Sequence, residues 1–157
     1  MAALAAPATD STPRVRVAAL ILLEGRVVTV RHRAGRARYH LLPGGGVAWG
    51  ETLSAALTRE VAEETGLVVD VGRLLYVNDT IDPSGGRHVV NITFDAEVIG
   101  GNVTDEPADP RVEAVDLVSP DALRSLDLRP PMAVALQAAL RGDPQTTYLG
   151  SLFTHGA

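Results

Sequence analysis

The spacing of apolar residues changes along the chain in a way that separates strands from helices. Arg14 to Leu23 is β-branched and aliphatic, Glu24-Gly25 offers a turn, and the apolar pattern resumes from Arg26 to Arg31, which predicts a β-hairpin. Arg31 to Arg38 reads as a basic, glycine-containing loop, and Tyr39 to Leu42 as a short strand stopped by Pro43-Gly44-Gly45-Gly46. Leu53 to Thr65 has helical spacing, with Thr52 placed as its N-cap and Gly66 where a C-terminal glycine belongs. Strands are expected at about Val68–Thr80 and Arg87–Ile99, joined through Asp82-Pro83-Ser84-Gly85-Gly86. A loop over Gly100–Pro110, a short strand at Val112–Val118 and a turn or short helix from Ser119-Pro120 should follow. Pro130-Pro131 opens a second helix through Arg141, with Met132, Leu136 and Leu140 among its apolar positions. Residues 1–13, small and polar with two prolines, read as a disordered lead-in to a single domain over 14–157. The tail carries Tyr148, Leu149, Leu152 and Phe153, which should pack on their own domain or on a second subunit. Strands before, between and after two helices give an α+β or α/β sandwich of sheet and helices.

The first helix breaks the rule for a packing helix. With Glu60 set at zero, Leu53, Glu64 and Leu57 fall at about 20°, 40° and 60° on a period of about 100° per residue. Two carboxylates therefore occupy the stripe that should face the core, and Glu63 lies at its edge. A buried carboxylate is costly unless it is paired or bound to a metal, and neighbouring like charges repel. A divalent cation would remove both penalties. Oxygen ligands with no accompanying His or Cys suit Mg²⁺ or Mn²⁺ better than zinc. A rotated or bent helix with solvated glutamates is the alternative. Gly44-Gly45-Gly46 directly before this region lets backbone come close to a ligand, so a carbonyl there could join the carboxylates.

Composition narrows the class. The net charge of −5 argues against a general nucleic-acid or membrane-surface binder, and the chain has no lysine, so all 14 basic residues are arginine. Cysteine is absent, which excludes disulfides and thiol catalysis. No stretch reads as a secretory signal or a membrane span, so the expected location is cytoplasmic and the Asn78, Asn91 and Asn102 N-x-Thr triplets are expected to be chance.

Gly45 to Leu67 reads GGVAWGETLSAALTREVAEETGL. The segment resembles the Nudix box, G-x5-E-x7-R-E-U-x-E-E-x-G-U with U aliphatic. It matches at Gly45, Glu51, Arg59, Glu60, Val61, Glu63, Glu64, Gly66 and Leu67. The resemblance implies the Nudix fold, an α/β/α sandwich with a mixed β-sheet. It also implies a Mg²⁺-dependent hydrolase (Mn²⁺ possible) that cleaves the diphosphate link of a nucleoside diphosphate derivative. Carried over residue by residue, Glu60 and Glu64 are the implied main metal ligands, with Glu63 assisting and the Gly45 region supplying a backbone carbonyl. Arg59 and Glu51 take the implied role of organising loop and helix, with a surface ion pair as the plain alternative.

In such a reaction water attacks phosphorus and a general base takes its proton. The base implied by the family is a box glutamate, Glu63 or Glu64, or an acid on a later loop, here Asp105, Glu106, Asp109 or Glu113, of which Glu106 and Glu113 are favoured. Arg16, Arg31, Arg33, Arg36 and Arg38 are candidates to grip phosphates, since guanidinium forks match phosphate oxygens. His32 and His40 are expected to be packing or surface residues. Pro83, sixteen residues beyond Leu67, is one position off the proline spacing of the family's ADP-ribose pyrophosphatases. ADP-ribose or a related nucleotide sugar is therefore the first expected substrate. A nucleoside triphosphate, including an oxidised one, is second, and a dinucleoside polyphosphate third. A nucleotide sensor without turnover is the non-enzymatic alternative. No stable nucleic-acid partner and no membrane association are expected; a homodimer through sheets or termini is one reading of the apolar tail, and packing within its own chain is the other.

Overall fold

The computed structural model describes residues 12–144 and 146–153, so most of the expected lead-in and the end of the tail lie outside the described residues. The strands are β1 (Arg14–Leu23), β2 (Arg26–Ala34), β3 (Ala37–Leu41), β4 (Gly44–Gly46), β5 (Leu67–Ile81), β6 (His88–Gly101), β7 (Val112–Val118) and β8 (Tyr148–Ser151). The helices are α1 (Leu53–Thr65) and α2 (Ala133–Leu140), with a 3₁₀ turn at Pro120–Ser125. Neighbouring strands run β3-β2-β1-β6-β5-β8, with β4 also paired to β1 and β7 to β2. The β1–β6 and β5–β8 pairs are parallel and the others antiparallel, so the sheet is mixed.

β1 shows why the sheet is covered on both faces. Val17, Ala19 and Ile21 join Ala56, Leu57 and Val61 of α1 in one buried cluster. The alternate residues Ala18 and Leu20 join Met132 and Leu136 at α2, with Leu123 and Tyr76, in another. Strand periodicity sends successive side chains to opposite faces, so a continuous apolar run is what a strand between two helical layers requires. Each fully buried aliphatic side chain contributes roughly 1.5–3 kcal/mol. The layers agree with the expected α/β/α sandwich.

Three local expectations change. The basic stretch 31–38 is not an open loop: β2 runs to Ala34, β3 begins at Ala37, and Arg33 pairs with Arg38 across a Gly35-Arg36 turn. The glycine triplet is a strand rather than a turn, with Arg16, Val17 and Ala18 paired to Gly46, Gly45 and Gly44. α2 begins at Ala133, after both prolines: Arg129 and Pro130 each precede a proline and are driven out of the helical region, and Met132 stands as the N-cap. The described part of the tail takes one of its two expected placements, within its own chain: β8 pairs with β5, and Leu149 and Leu152 lie against the α2-side cluster. Asn78 and Asn91 are buried, which fits the chance reading of their triplets. Among the described residues no helix is long and apolar enough to cross a membrane.

Candidate active site

Helix α1 is fixed at both ends as its sequence requires. Thr52 Oγ1 accepts from Ala55 N at 3.1 Å, and Gly66 takes the left-handed conformation (φ 78°) while its N–H bonds to Ala62 O. With the ends fixed, the periodicity delivers Ala56, Leu57, Glu60, Val61 and Glu64 to the buried face. Glu60 is 8% exposed and Glu64 1%.

The buried glutamates meet the glycine strand. Gly44 N donates to Glu64 Oε2 at 2.9 Å. A Cβ on Gly45 would stand 2.2 Å from Glu60 Cδ, so only glycine permits this approach. Burial pushes the Glu64 carboxyl up to about 7, against the Gly44 N–H and nearby Arg16, which favour the charged form. Glu60 adds to the rise by repulsion.

Arg59 ties this helix to the preceding loop. Its Nε and Nη2 donate to the two oxygens of Glu51 at 2.8 and 3.0 Å, Nη1 reaches Glu60 Oε1 at 2.8 Å and Glu63 Oε2 at 3.4 Å, and Nη2 reaches Gly46 O at 3.2 Å. The Arg59 guanidinium and the Ala48 N–H hold the Glu51 carboxyl down at about 2. Trp49, between Ala48 and Gly50 on this loop, is wholly exposed.

The other expected site residues divide into two groups. Arg16 is partly buried, donates to Leu42 O at 2.9 Å and feels the charge of Glu64 and Glu60. Burial lowers its pKa, though an arginine stays protonated at neutral pH. Arg31 and Arg38 instead engage Glu113 at 3.2 and 2.9 Å, and Arg31 also meets Asp116 at 3.4 Å. His40 bonds Asp116 at 3.0 Å, and Arg33 Nε donates to Gly35 O. Glu113, named from sequence as a base or ligand, is thus held between two guanidiniums, which keep its carboxyl below the usual range, the Arg38 hydrogen bond contributing most. Glu106 is exposed, and its backbone N donates to Thr104 Oγ1. His32 is buried, and burial lowers its pKa.

Arg87 and Arg111 lie within electrostatic reach of Arg16, and neither was singled out from sequence. Arg87 directly precedes β6, at the end of the β5–β6 connection, and Arg111 directly precedes β7. Only long-range pairing brings them here, so no local signal marked them.

Among the described residues no three acids or histidines converge into a ready ligand group. Glu60 and Glu64 form an inward pair beside the Gly45 backbone, while Glu63, 46% exposed at its side chain, leans to Arg59. Two carboxylates and backbone oxygen fit a hard cation that keeps several waters, and a buried carboxyl with a raised pKa calls for positive charge.

The family model of the NUDIX domain matches residues 12–139. An ADP-ribose pyrophosphatase from Methanocaldococcus jannaschii is 36% identical over 92 residues, which cover 58% of this chain and 54% of that protein. The chain thus spans about half the length of this curated relative. Among solved structures, a NUDIX hydrolase from Nitrosomonas europaea superposes with a TM-score of 0.72 at 25% identity, covering 83% of this chain and 90% of that one. A MutT NUDIX hydrolase from Burkholderia pseudomallei gives a TM-score of 0.60 at 37% identity, covering 70% and 85%. A complete box on a matching sandwich, with the family model spanning most of the sequence, leads to one conclusion: the chain belongs to the NUDIX family.

Proposed function

We propose that this chain is a metal-dependent pyrophosphohydrolase acting on a nucleoside diphosphate joined to a second group, with ADP-ribose or a related nucleotide sugar as substrate. The observation that carries the reading is the inward Glu60–Glu64 pair against the glycine strand. The name of the Methanocaldococcus jannaschii relative supports the choice of ADP-ribose.

In this reading Glu60 and Glu64, with Glu63 and the Gly45 backbone assisting, hold Mg²⁺ or Mn²⁺. Such an ion supplies positive charge to phosphate oxygens and makes a bound water more acidic. Arg59 keeps the glutamates and the Gly46 carbonyl in register. Arg16 adds positive charge beside Glu64. Glu106 takes the proton from the attacking water: it stands exposed on the loop packed against α1, whereas Glu113 is neutralised by Arg31 and Arg38 and is the weaker base.

Hydrolysis of a panel of nucleotide sugars, nucleoside triphosphates and dinucleoside polyphosphates with Mg²⁺ or Mn²⁺, products weighed by mass spectrometry, tests the reading. ADP-ribose should give AMP and ribose 5-phosphate. Cleavage confined to triphosphates would replace the substrate assignment, and binding without turnover would make the chain a sensor. Glu106→Gln should lower kcat at least about 100-fold while leaving KM little changed; an unchanged kcat removes the base assignment.

A further inference from the structure

The loop from β6 to β7 is anchored on the end of α1 by two backbone hydrogen bonds, Thr104 N to Thr65 O and Ala108 N to Glu63 O, both 2.9 Å. Directly after the second anchor, Asp109 grips Arg111. Its carboxylate accepts from the Arg111 backbone N–H at 2.9 Å, from Nε at 3.0 and 3.1 Å and from Nη2 at 2.6 Å. The Asp109 side chain is 10% exposed and that of Arg111 66%. The guanidinium is therefore held from behind and open in front. Among the described residues Nη1 has no hydrogen-bond partner.

The pair lies between two features of the site. On one side, Arg111 feels the charge of Glu64 and Glu60, and Glu64 feels that of Asp109. On the other, Arg111 lines a cleft of about 450 Å³ with His32, Arg33, Tyr39, Pro110 and Glu113. Nearby arginines are differently placed. Arg59 is committed to three glutamates, Arg31 and Arg38 to Glu113, and Arg16 is partly buried on a backbone carbonyl.

We propose that Arg111, held in place by Asp109, grips the phosphate oxygens of a ligand lying between the Glu60–Glu64 pair and the His32–Tyr39 cleft. The inference rests on the reading of this site as one for a diphosphate. A guanidinium fork matches phosphate oxygens edge to edge, and Asp109 occupies one edge while leaving the other free. Fixing a long side chain before the ligand arrives removes an entropy cost from binding. Asp109 acts through Arg111, so it is a positioning residue. The group beyond the diphosphate then enters the cleft, which favours a substrate with a second organic group over a bare triphosphate.

Titration calorimetry with inorganic pyrophosphate in the presence of Mg²⁺ reads the clamp without requiring turnover. Arg111→Gln should weaken the Kd about tenfold, and Arg111→Lys, which keeps a point charge but not the fork, about threefold. Asp109→Asn should weaken it about threefold, and the double variant no further than Arg111→Gln, because the two residues act in series. Should Arg111→Gln lose its cooperative melt, the lysine variant carries the test. A folded variant of Arg111 that binds as the wild type, additive losses in the double variant, or a wild type that does not bind pyrophosphate overturns the proposal. Failure of the hydrolase reading looks different: pyrophosphate binding would still depend on Arg111 while no nucleotide in the panel is cut.

Discussion

Two charged clusters share one framework and behave differently. On β2, β3 and β7 the acids have cationic partners, with Glu113 between Arg31 and Arg38 and Asp116 against Arg31 and hydrogen-bonded to the His40 ring. Where α1 meets β4, the balance is incomplete. Glu64 is almost wholly buried with one hydrogen bond from Gly44, and burial outweighs the help of Arg16. The first cluster resembles an ordinary partly exposed network, in which each pair contributes little. The second places a carboxyl where water cannot compensate its charge, so its ionised form is disfavoured until a cation arrives. Counting charges would have ranked the arginine-rich hairpin first, whereas burial and missing partners select the helix.

The sharpest way to break the contrast is a matched pair of variants. Glu64→Gln should lower turnover at least about 100-fold with the fold intact by circular dichroism, while Glu113→Gln changes it less than about threefold. Equal losses in the two would erase the distinction. Next in size, Gly45→Ala places a methyl group against the Glu60 carboxylate. Turnover should drop about tenfold or more, and urea denaturation should show a cost of about 1–3 kcal/mol for the forced displacement. An alanine variant that keeps both activity and stability would show that the close approach has no role.

A third probe uses the ion itself. Mg²⁺ at one hundred times its dissociation constant should stabilise the wild type by about 2.7 kcal/mol, seen as a higher Tm. The shift should vanish in Glu60→Gln and persist in Glu113→Gln; persistence in both would move the ion elsewhere. The smallest effect concerns the Arg59–Glu51 clamp. The folded pKa of Glu51, about 2, lies below its ordinary 4.5. Its stabilisation is therefore fully present above about pH 4.5 and fades as the pH falls towards about 2. Denaturant midpoints of wild type and Glu51→Gln should converge over that window, and parallel curves would show that the clamp does not titrate with the fold.

These contrasts were unevenly legible in the sequence. Helix α1 and its inward face follow from local spacing and two end residues, Thr52 and Gly66, whose side-chain and backbone chemistry acts over a few positions. Gly44–Gly46 was not readable as a strand, because glycine has no intrinsic strand preference and its pairing comes from β1, far off in sequence. The hairpin arginines looked like phosphate ligands because sequence shows charge but not its partners. Glu113 and Asp116 reach them only when β7 pairs with β2. Asp109 is one acid among several in the sequence; its bonds to Arg111 are local, but the place of the pair beside α1 follows from the loop's backbone bond to Glu63.

One surface residue gives the experiments their own signal. Trp49 is the only tryptophan in the sequence, and it stands fully in water on the segment that Arg59 ties to the helix. Its indole emission should resemble that of the free amino acid, because nothing surrounds it. A ligand that orders this segment would change its surroundings, so the protein reports occupancy by its own fluorescence, without an added label.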